Sequence, residues 1–335
     1  MWYALLLTML LGCSVSQAPK IEAITGLSMG TSYTVKWVQR VDQKSQISSD
    51  IARGVAIELE RIEASMSTYM DASDLSGFNG ASAGQWHSVP AEMATLVAQS
   101  LELSEQTNGA FDITVGPIVN LWGFGPAPMP VNSPSQAALD ALRPLIGYQS
   151  LKVQIQPPVM LKSTDSTIDL SAIAKGYGVD AVARWLDSKG LDDYLVEVGG
   201  ELRAKGFKPD GTPWRIAIET PSIDAKQIYQ VINVSNIAVA TSGNYRNYYE
   251  LDGVRYAHTL DPHTLRPVTH NLASVTVMDA SAARADALAT ALMVMGSEKG
   301  IIWATMHQVP AYFIMKQLDG FAAQSTANFT DYLEN

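Results

Sequence analysis

Apolar and polar residues alternate from 21 to 41, with Thr31, Tyr33, Val35 and Trp37 on one face, and a period of two predicts a pair of strands. At 50–65 the period becomes helical, with Ile51, Val55, Leu59 and Ile62 forming one stripe. A Gly/Ser/Asn-rich loop is expected over 68–87. Pro90 opens a second helix to about residue 107, with Asn108-Gly109 as its stop. Residues 110–134 are rich in Gly, Pro and Trp and show no clear element; another helix is expected at 135–145. Strands are expected near 150–156, 166–170, 194–206, 214–219, 229–234, 236–241 and 254–259. The segment 169–180 reads as the end of a strand, a polar turn and the start of a helix to about residue 189. A strand at 273–278 leads into an Ala-rich helix at 281–295 stopped by Gly296; a short helix near 298–306 and a strand at 311–315 finish the pattern. Strands and helices do not alternate strictly and no segment repeats. This predicts an α+β fold of mixed or antiparallel sheets with packed helices, not a doubly wound parallel sheet.

Composition narrows the function more than the fold. A chain of 335 residues allows one large domain or two smaller ones, and 47% hydrophobic residues give it ample core. The net charge of -10 argues against a nucleic-acid partner, which needs a basic footprint. It leaves room for a nucleotide ligand at a local positive site. With Cys13 as the one cysteine, no intrachain disulfide or Cys-based zinc site exists. Residues 1–12 are uncharged and mostly apolar and end in Leu10-Leu11-Gly12 before Cys13, which resembles a bacterial lipoprotein signal. Cys13 then becomes the lipidated first residue, and 13–20 form a tether. Met1-Trp2-Tyr3 lack the usual Lys or Arg, and a buried apolar strand is the competing reading. Ser14 follows the cysteine, so the aspartate that often marks inner-membrane retention is absent.

Three places hold candidate chemistry. In the segment from Asp169 to Asp180, a helix start carries unpaired N–H groups, Lys175 adds a charge, and Gly176 and Gly178 permit close approach. Together with Asp169 this suits a phosphate arriving with a metal ion; the same residues also suit a plain capped helix. On the Ala-rich helix, Asp286 and Thr290 are four residues apart and share a face, offering oxygen ligands to a hard cation such as Mg²⁺. Alternatively Asp286 serves the helix dipole and Thr290 bonds back to a carbonyl. Finally, His258 and Asp261 lie where a strand runs into a turn starting at Asp261-Pro262, and an imidazole there suits a general base.

The ordered set of motifs resembles the FAD:protein FMN transferases, the ApbE family. The matching stretches are Met29-Gly30-Thr31; Met66-Ser67-Thr68-Tyr69 with Phe78-Asn79; residues 109–117; Asn120-Leu121-Trp122-Gly123; Asp169 to Asp180; residues 197–201; residues 240–245; His258 to Pro267; and residues 285–290. They span about residues 26–296. The resemblance implies an ApbE-like, T-fold-related architecture over 21–335. It also implies an enzyme that cleaves FAD, attaches FMN through a phosphoester to a Thr or Ser of a target protein and releases AMP. Some members instead hydrolyse FAD to FMN and AMP, and a non-catalytic flavin-binding lipoprotein is the third reading. Implied targets are acceptor subunits of membrane redox complexes of the sodium-translocating quinone reductase or Rnf type. The implied location is the periplasmic face of a bacterial membrane with a lipid anchor, the family favouring the inner membrane and the outer one staying open.

Carried onto this chain, the resemblance makes Asp286, Thr290 and the backbone carbonyl of Ala172 the Mg²⁺ ligands. FAD contacts would be Met29, Tyr69, Ala110, Phe111, Asp112, Asp169, Lys175, His258 and Leu260. His258 is the implied base, with Asp261 second. The chain departs from the family pattern twice: Leu265 replaces a turn glycine, and His263 stands where Arg is common. If that turn needs positive φ, the leucine is strained.

Overall fold

The computed structural model describes residues 18–40, 48–222, 227–245 and 247–334. The signal at 1–12, Cys13 and most of the 13–20 tether lie outside the described residues. Strands β1 (Lys20–Ser28) and β2 (Thr31–Gln39) form the expected hairpin, and the alternation along β2 buries Tyr33, Val35 and Trp37 on one side. Helix α1 (Ser48–Met66) buries the stripe Ile51, Val55, Leu59 and Ile62.

The expected loop at 68–87 instead contains helix α2 (Asp74–Gly80) and strand β3 (Trp86–Ser88). Two glycines and an asparagine in seven residues hide α2 from a propensity reading. It forms because Ser73 Oγ accepts from the N–H of Ser76 at 3.0 Å and because Leu75 and Phe78 are buried. Helix α3 (Ala91–Gln106) follows Pro90 and stops at Asn108 and Gly109, whose φ values are 51° and 78°.

Within 110–134, where no element is expected, a single 3₁₀ turn at Ile113–Val115 leads into helix α4 (Gly116–Leu121). Helix α5 (Gln136–Leu142) comes next, then the hairpin β4 (Leu151–Ile155) and β5 (Pro158–Lys162). The strand expected at 166–170 pairs with no other strand. Its backbone is held by a side chain, since Asn79 Nδ2 donates to Ile168 O at 2.9 Å and Ile168 N–H donates to Asn79 Oδ1 at 2.8 Å. Helix α6 (Ala174–Ser188) follows the turn, as expected.

The single strand expected at 194–206 is a hairpin, β6 (Tyr194–Val198) and β7 (Glu201–Lys205). Gly199 and Gly200 turn it with φ of 61° and 103°. Then come β8 (Trp214–Glu219), β9 (Ile228–Val234) and β10 (Ile237–Gly243). A hairpin of β11 (Tyr248–Leu251) and β12 (Val254–Ala257) precedes the short pair β13 (Leu260–Asp261) and β14 (Arg266–Pro267). Strand β15 (Leu272–Asp279), helix α7 (Ala282–Met306), β16 (Ala311–Gln317) and β17 (Gly320–Ser325) complete the order. The expected stop at Gly296 is a break inside α7, with φ 75° and ψ 178°.

Eight strands form one antiparallel sheet in the order β1-β2-β6-β7-β10-β15-β16-β17. On one face, Tyr33, Val35, Val196 and Ala238 pack under α1 and α6, while Val275 and Val277 pack under α7. On the other, Val38, Leu195, Leu202 and Val239 pack against the β8–β9 hairpin and Phe329. Burying both faces of the sheet is the main apolar stabilisation. Among the described residues no helix is long and apolar enough to cross a membrane.

Leu265 does adopt positive φ, 61°. Its side chain is 1% exposed, packed with Ile118, Trp122, Leu139, Tyr249 and Leu260, and its carbonyl accepts from Trp122 Nε1 at 2.9 Å. Burial offsets the strain. Leu265→Gly relieves about 1–2 kcal/mol of left-handed backbone strain but forfeits about 2–5 kcal/mol of buried side chain. The expected result is a net loss of about 1–3 kcal/mol, read as a lower urea midpoint; an unchanged or higher midpoint would show that strain dominates.

Candidate active site

Loops at one end of the helical layer enclose a cavity of about 890 Å³, at the large end of the range for small-molecule sites. Met29, Tyr69, Ala110, Phe111, Asp112, Asp169, Ala172, Lys175, His258, Leu260, Asp286 and Thr290 all line it. Segments far apart in sequence thus converge on one space. Asp261 is not among its lining residues, although Leu260 and Pro262 are. The Asp261 carboxylate accepts from His263 N–H at 2.9 Å and Thr264 Oγ at 3.0 Å, so it shapes the turn. His263 ties this turn to the α3 stop, its Nε2 lying 3.0 Å from Asn108 O.

At the floor, α6 and α7 meet. Gly176 N–H donates to Asp286 Oδ2 at 3.1 Å, so Asp286 serves the first turn of α6, whose own cap position, Ile173, has no side-chain cap bond. The α6 start therefore already has the Asp286 carboxyl group as its partner at Gly176. Lys175 is engaged too, its Nζ lying 2.7 Å from Glu201 Oε1. Burial pulls the Lys175 pKa down, but Asp286 and Glu201 outweigh it and raise it, so the ammonium stays charged. Burial raises the carboxyl of Asp286 against the pull of Lys175 and the Gly176 N–H. Burial likewise pushes Glu201 up, against Lys175.

Glu63, Asp112, Asp169, Glu201 and Asp286 face the cavity against the single ammonium of Lys175. A polyanionic ligand would bring its charge beside these carboxyl groups, and a cation arriving with it would offset that charge and favour their ionised form. The donor set fits a hard cation. Asp286 is 3% exposed, Thr290 presents a hydroxyl that lies 3.4 Å from Ser242 Oγ, and Glu201 Oε2 is buried and makes no hydrogen bond. Among the described residues no three His, Cys, Asp or Glu side chains form a conventional metal cluster, so a cation here would need a hydroxyl or backbone oxygen beside the carboxylate.

His258 stands across the cavity. Its Nδ1 lies 3.1 Å from Asn247 O, and because a carbonyl only accepts, Nδ1 carries the proton. Nε2 then keeps its lone pair. Burial lowers the His258 pKa, and Lys175 lowers it further, while the bond to Asn247 opposes them. The imidazole is thus neutral and able to accept a proton at neutral pH. The edge of His258 meets the ring of Phe124, whose carbonyl accepts from Tyr69 Oη at 3.1 Å. Asp112 is spoken for internally, accepting from Thr114 N–H at 2.8 Å, Thr114 Oγ at 2.6 Å and Tyr148 N–H at 2.9 Å. It fixes the loop that presents Ala110 and Phe111.

Two contributors are invisible to a search for reactive side chains along the sequence. Asn247 acts through its carbonyl and has no side-chain signature. Glu201 stands next to a Gly-Gly turn in a strand that also carries Arg203 and Lys205, so nothing local marks it, and its partner Lys175 is distant in sequence.

The ApbE family model matches residues 29–313. A curated FAD:protein FMN transferase from Vibrio cholerae is 41% identical over 334 residues, covering 99% of this chain and 98% of that protein. One from Escherichia coli strain K12 is 38% identical over 95% of this chain and 91% of its own length. Among solved structures, the apo flavinyl transferase ApbE of Pseudomonas stutzeri superposes with a TM-score of 0.86 at 41% identity, covering 94% of this chain and 98% of that one. The flavin transferase ApbE from Vibrio cholerae gives 0.86 at 41% identity, over 94% and 100%.

Proposed function

This chain belongs to the ApbE family, and on that premise we propose that it is an FAD:protein FMN transferase. The observation that carries the reading is the convergence on one cavity of an imidazole whose Nδ1 is held by Asn247 O and of two oxygen donors, Asp286 and Thr290, suited to a hard cation. FAD fills the cavity with its pyrophosphate toward the α6–α7 floor. Asp286, Thr290 and the Ala172 carbonyl would hold Mg²⁺, which would offset the charge that builds on the leaving phosphate.

The acceptor hydroxyl oxygen forms the new bond to the phosphorus of the FMN half. The bond from that phosphorus to the bridging oxygen breaks, and AMP departs with the electron pair. His258 Nε2 takes the hydroxyl proton; a threonine or serine hydroxyl is too weak an acid to ionise unaided. Asn247 O holds the ring in the tautomer this requires. The acceptors are subunits of membrane redox complexes of the sodium-translocating quinone reductase or Rnf type. Lipidation at Cys13 tethers the enzyme to the periplasmic face of the inner membrane.

The test is to incubate the protein with FAD, Mg²⁺ and such a subunit, then follow AMP release and in-gel flavin fluorescence. AMP together with a fluorescent acceptor is expected. AMP with free FMN and no labelled acceptor would assign FAD hydrolysis instead, and no AMP would leave only flavin binding.

A further inference from the structure

The contact between α6 and α7 is reciprocal. Asp286 of α7 serves the N-terminal turn of α6 through Gly176. In return, Asp180 of α6 serves the N-terminus of α7: its Oδ2 accepts from Ser281 Oγ at 2.7 Å and from Ala283 N–H at 3.1 Å. Ser281 is the N-cap of α7, and its Oγ in turn accepts from Arg284 N–H at 3.3 Å. The other oxygen, Oδ1, accepts from Arg203 Nη1 of β7 at 3.0 Å, and Arg203 also donates to Ala280 O just before the helix. Asp180 is 6% exposed and both of its carboxylate oxygens accept hydrogen bonds.

These residues lie on matching faces. Gly176 and Asp180 are one helical turn apart on α6; Ala283, Asp286 and Thr290 follow the same spacing on α7. Where the helices touch, a Cβ on Gly176 would sit 2.2 Å from Ala282 O. That approach limits how far apart the helices lie but does not stop one sliding along the other. A slide of one residue is about 1.5 Å, whereas metal ligands tolerate only about 0.2 Å.

We infer that Asp180 is a positioning residue that locks α7 in register against α6 and so sets Asp286 and Thr290 against Ala172. Asp180 touches no reactant; it acts through the N-terminus of the helix that carries the cation ligands. The inference deepens the transferase reading and rests on Asp286 and Thr290 as the cation site.

The test is a calorimetric titration of Mn²⁺ into the full chain, wild type and Asp180→Asn, with melting temperatures measured on the same samples. Asp180→Asn keeps the size of the side chain but not its charge or its two-sided acceptance. It is expected to bind Mn²⁺ about tenfold more weakly, and excess Mn²⁺ should recover much of the lost transfer rate. Unchanged Mn²⁺ affinity with a lowered melting temperature would make Asp180 merely structural and overturn the inference. Should Asp180→Asn fail to fold, Ser281→Ala removes the hydroxyl that links Asp180 to the Arg284 amide and leaves both carboxylates in place. It is expected to weaken Mn²⁺ binding in the same direction, and an unchanged affinity would again overturn the inference. If the wild type binds no Mn²⁺, the cation reading itself falls and takes this one with it.

Discussion

Asp286→Ala is expected to abolish Mg²⁺-dependent flavin transfer. The loss should exceed the roughly 10–100-fold that outer partners of a metal are worth, because Asp286 is the one charged group among the proposed ligands. The variant also leaves Gly176 N–H without its acceptor, so Asp286→Asn is the sharper probe: it keeps an oxygen for Gly176 and deletes only the charge. Transfer measured with Mg²⁺ and with EDTA distinguishes the two outcomes. Full activity of Asp286→Ala under EDTA would sink the assignment.

The same substitution has a signed consequence for stability. Burial raises the folded-state pKa of Asp286 and pushes Glu201 up to about 8. A raised carboxyl contributes stability that is complete below its unfolded value and is lost as pH rises through the folded one. Without a cation, the wild type should therefore lose melting temperature as pH rises from about 4 toward 8. Lys175 adds no slope in that window, since its own shift is upward from an already alkaline value. Asp286→Asn should flatten the cation-free profile, and Mg²⁺ should raise the melting temperature of the wild type but not of the variant. A wild-type profile that does not fall over this range would contradict the crowded-charge description of the floor.

His258→Ala is expected to slow transfer by about 10²–10⁴-fold while FAD still binds. The expectation follows from one lone pair: the bond to Asn247 O spends the Nδ1 proton and leaves Nε2 as acceptor. Because burial lowers the pKa of His258 below its ordinary value, the base is neutral at neutral pH and becomes protonated only as pH falls through the lowered value. The wild-type rate should rise with pH on the acid side and level off before neutrality, and His258→Ala should lack that acid limb. Loss of FAD binding with single-turnover chemistry intact would move His258 from catalysis to binding.

The elements most legible in the sequence are those whose hydrophobic period matches a buried face. The stripe through Ile51 and Leu59 and the alternation through Val35 and Trp37 are sufficient for α1 and β2. Stops read well where glycine or asparagine takes positive φ, as at Asn108, Gly109 and Gly296. Reading failed where a distant group supplies the stabilisation. Helix α2 depends on a cap and two buried side chains, not on propensity, and residues 166–170 are held by the amide of Asn79 instead of a neighbouring strand. The 194–206 run reads as one strand because the alternation of Val196, Val198, Leu202 and Ala204 with Glu197, Glu201, Arg203 and Lys205 keeps the same phase across Gly199 and Gly200.

For the site, motif order was enough to name the residues that the cavity gathers. It was not enough to say what each is bonded to. Asp261 reads as the second candidate base, and its carboxylate accepts from His263 N–H and Thr264 Oγ; Lys175 reads as an FAD contact, and its Nζ lies 2.7 Å from Glu201 Oε1.

Asn247 and His258 flank the two ends of the β11–β12 hairpin, so the bond that orients the imidazole closes the root of that hairpin. Tyr249 and Tyr256 anchor its lower half by stacking on each other and on Phe124 and Trp122. The tip, Asp252-Gly253, turns with φ of 53° and 75° and is exposed, about 10 Å of strand away from the root. Geometry at the root and identity at the tip are therefore independent variables. Chain length and chemistry at the tip are free to drift, or to be engineered with an inserted epitope, while the orientation of the imidazole is inherited unchanged.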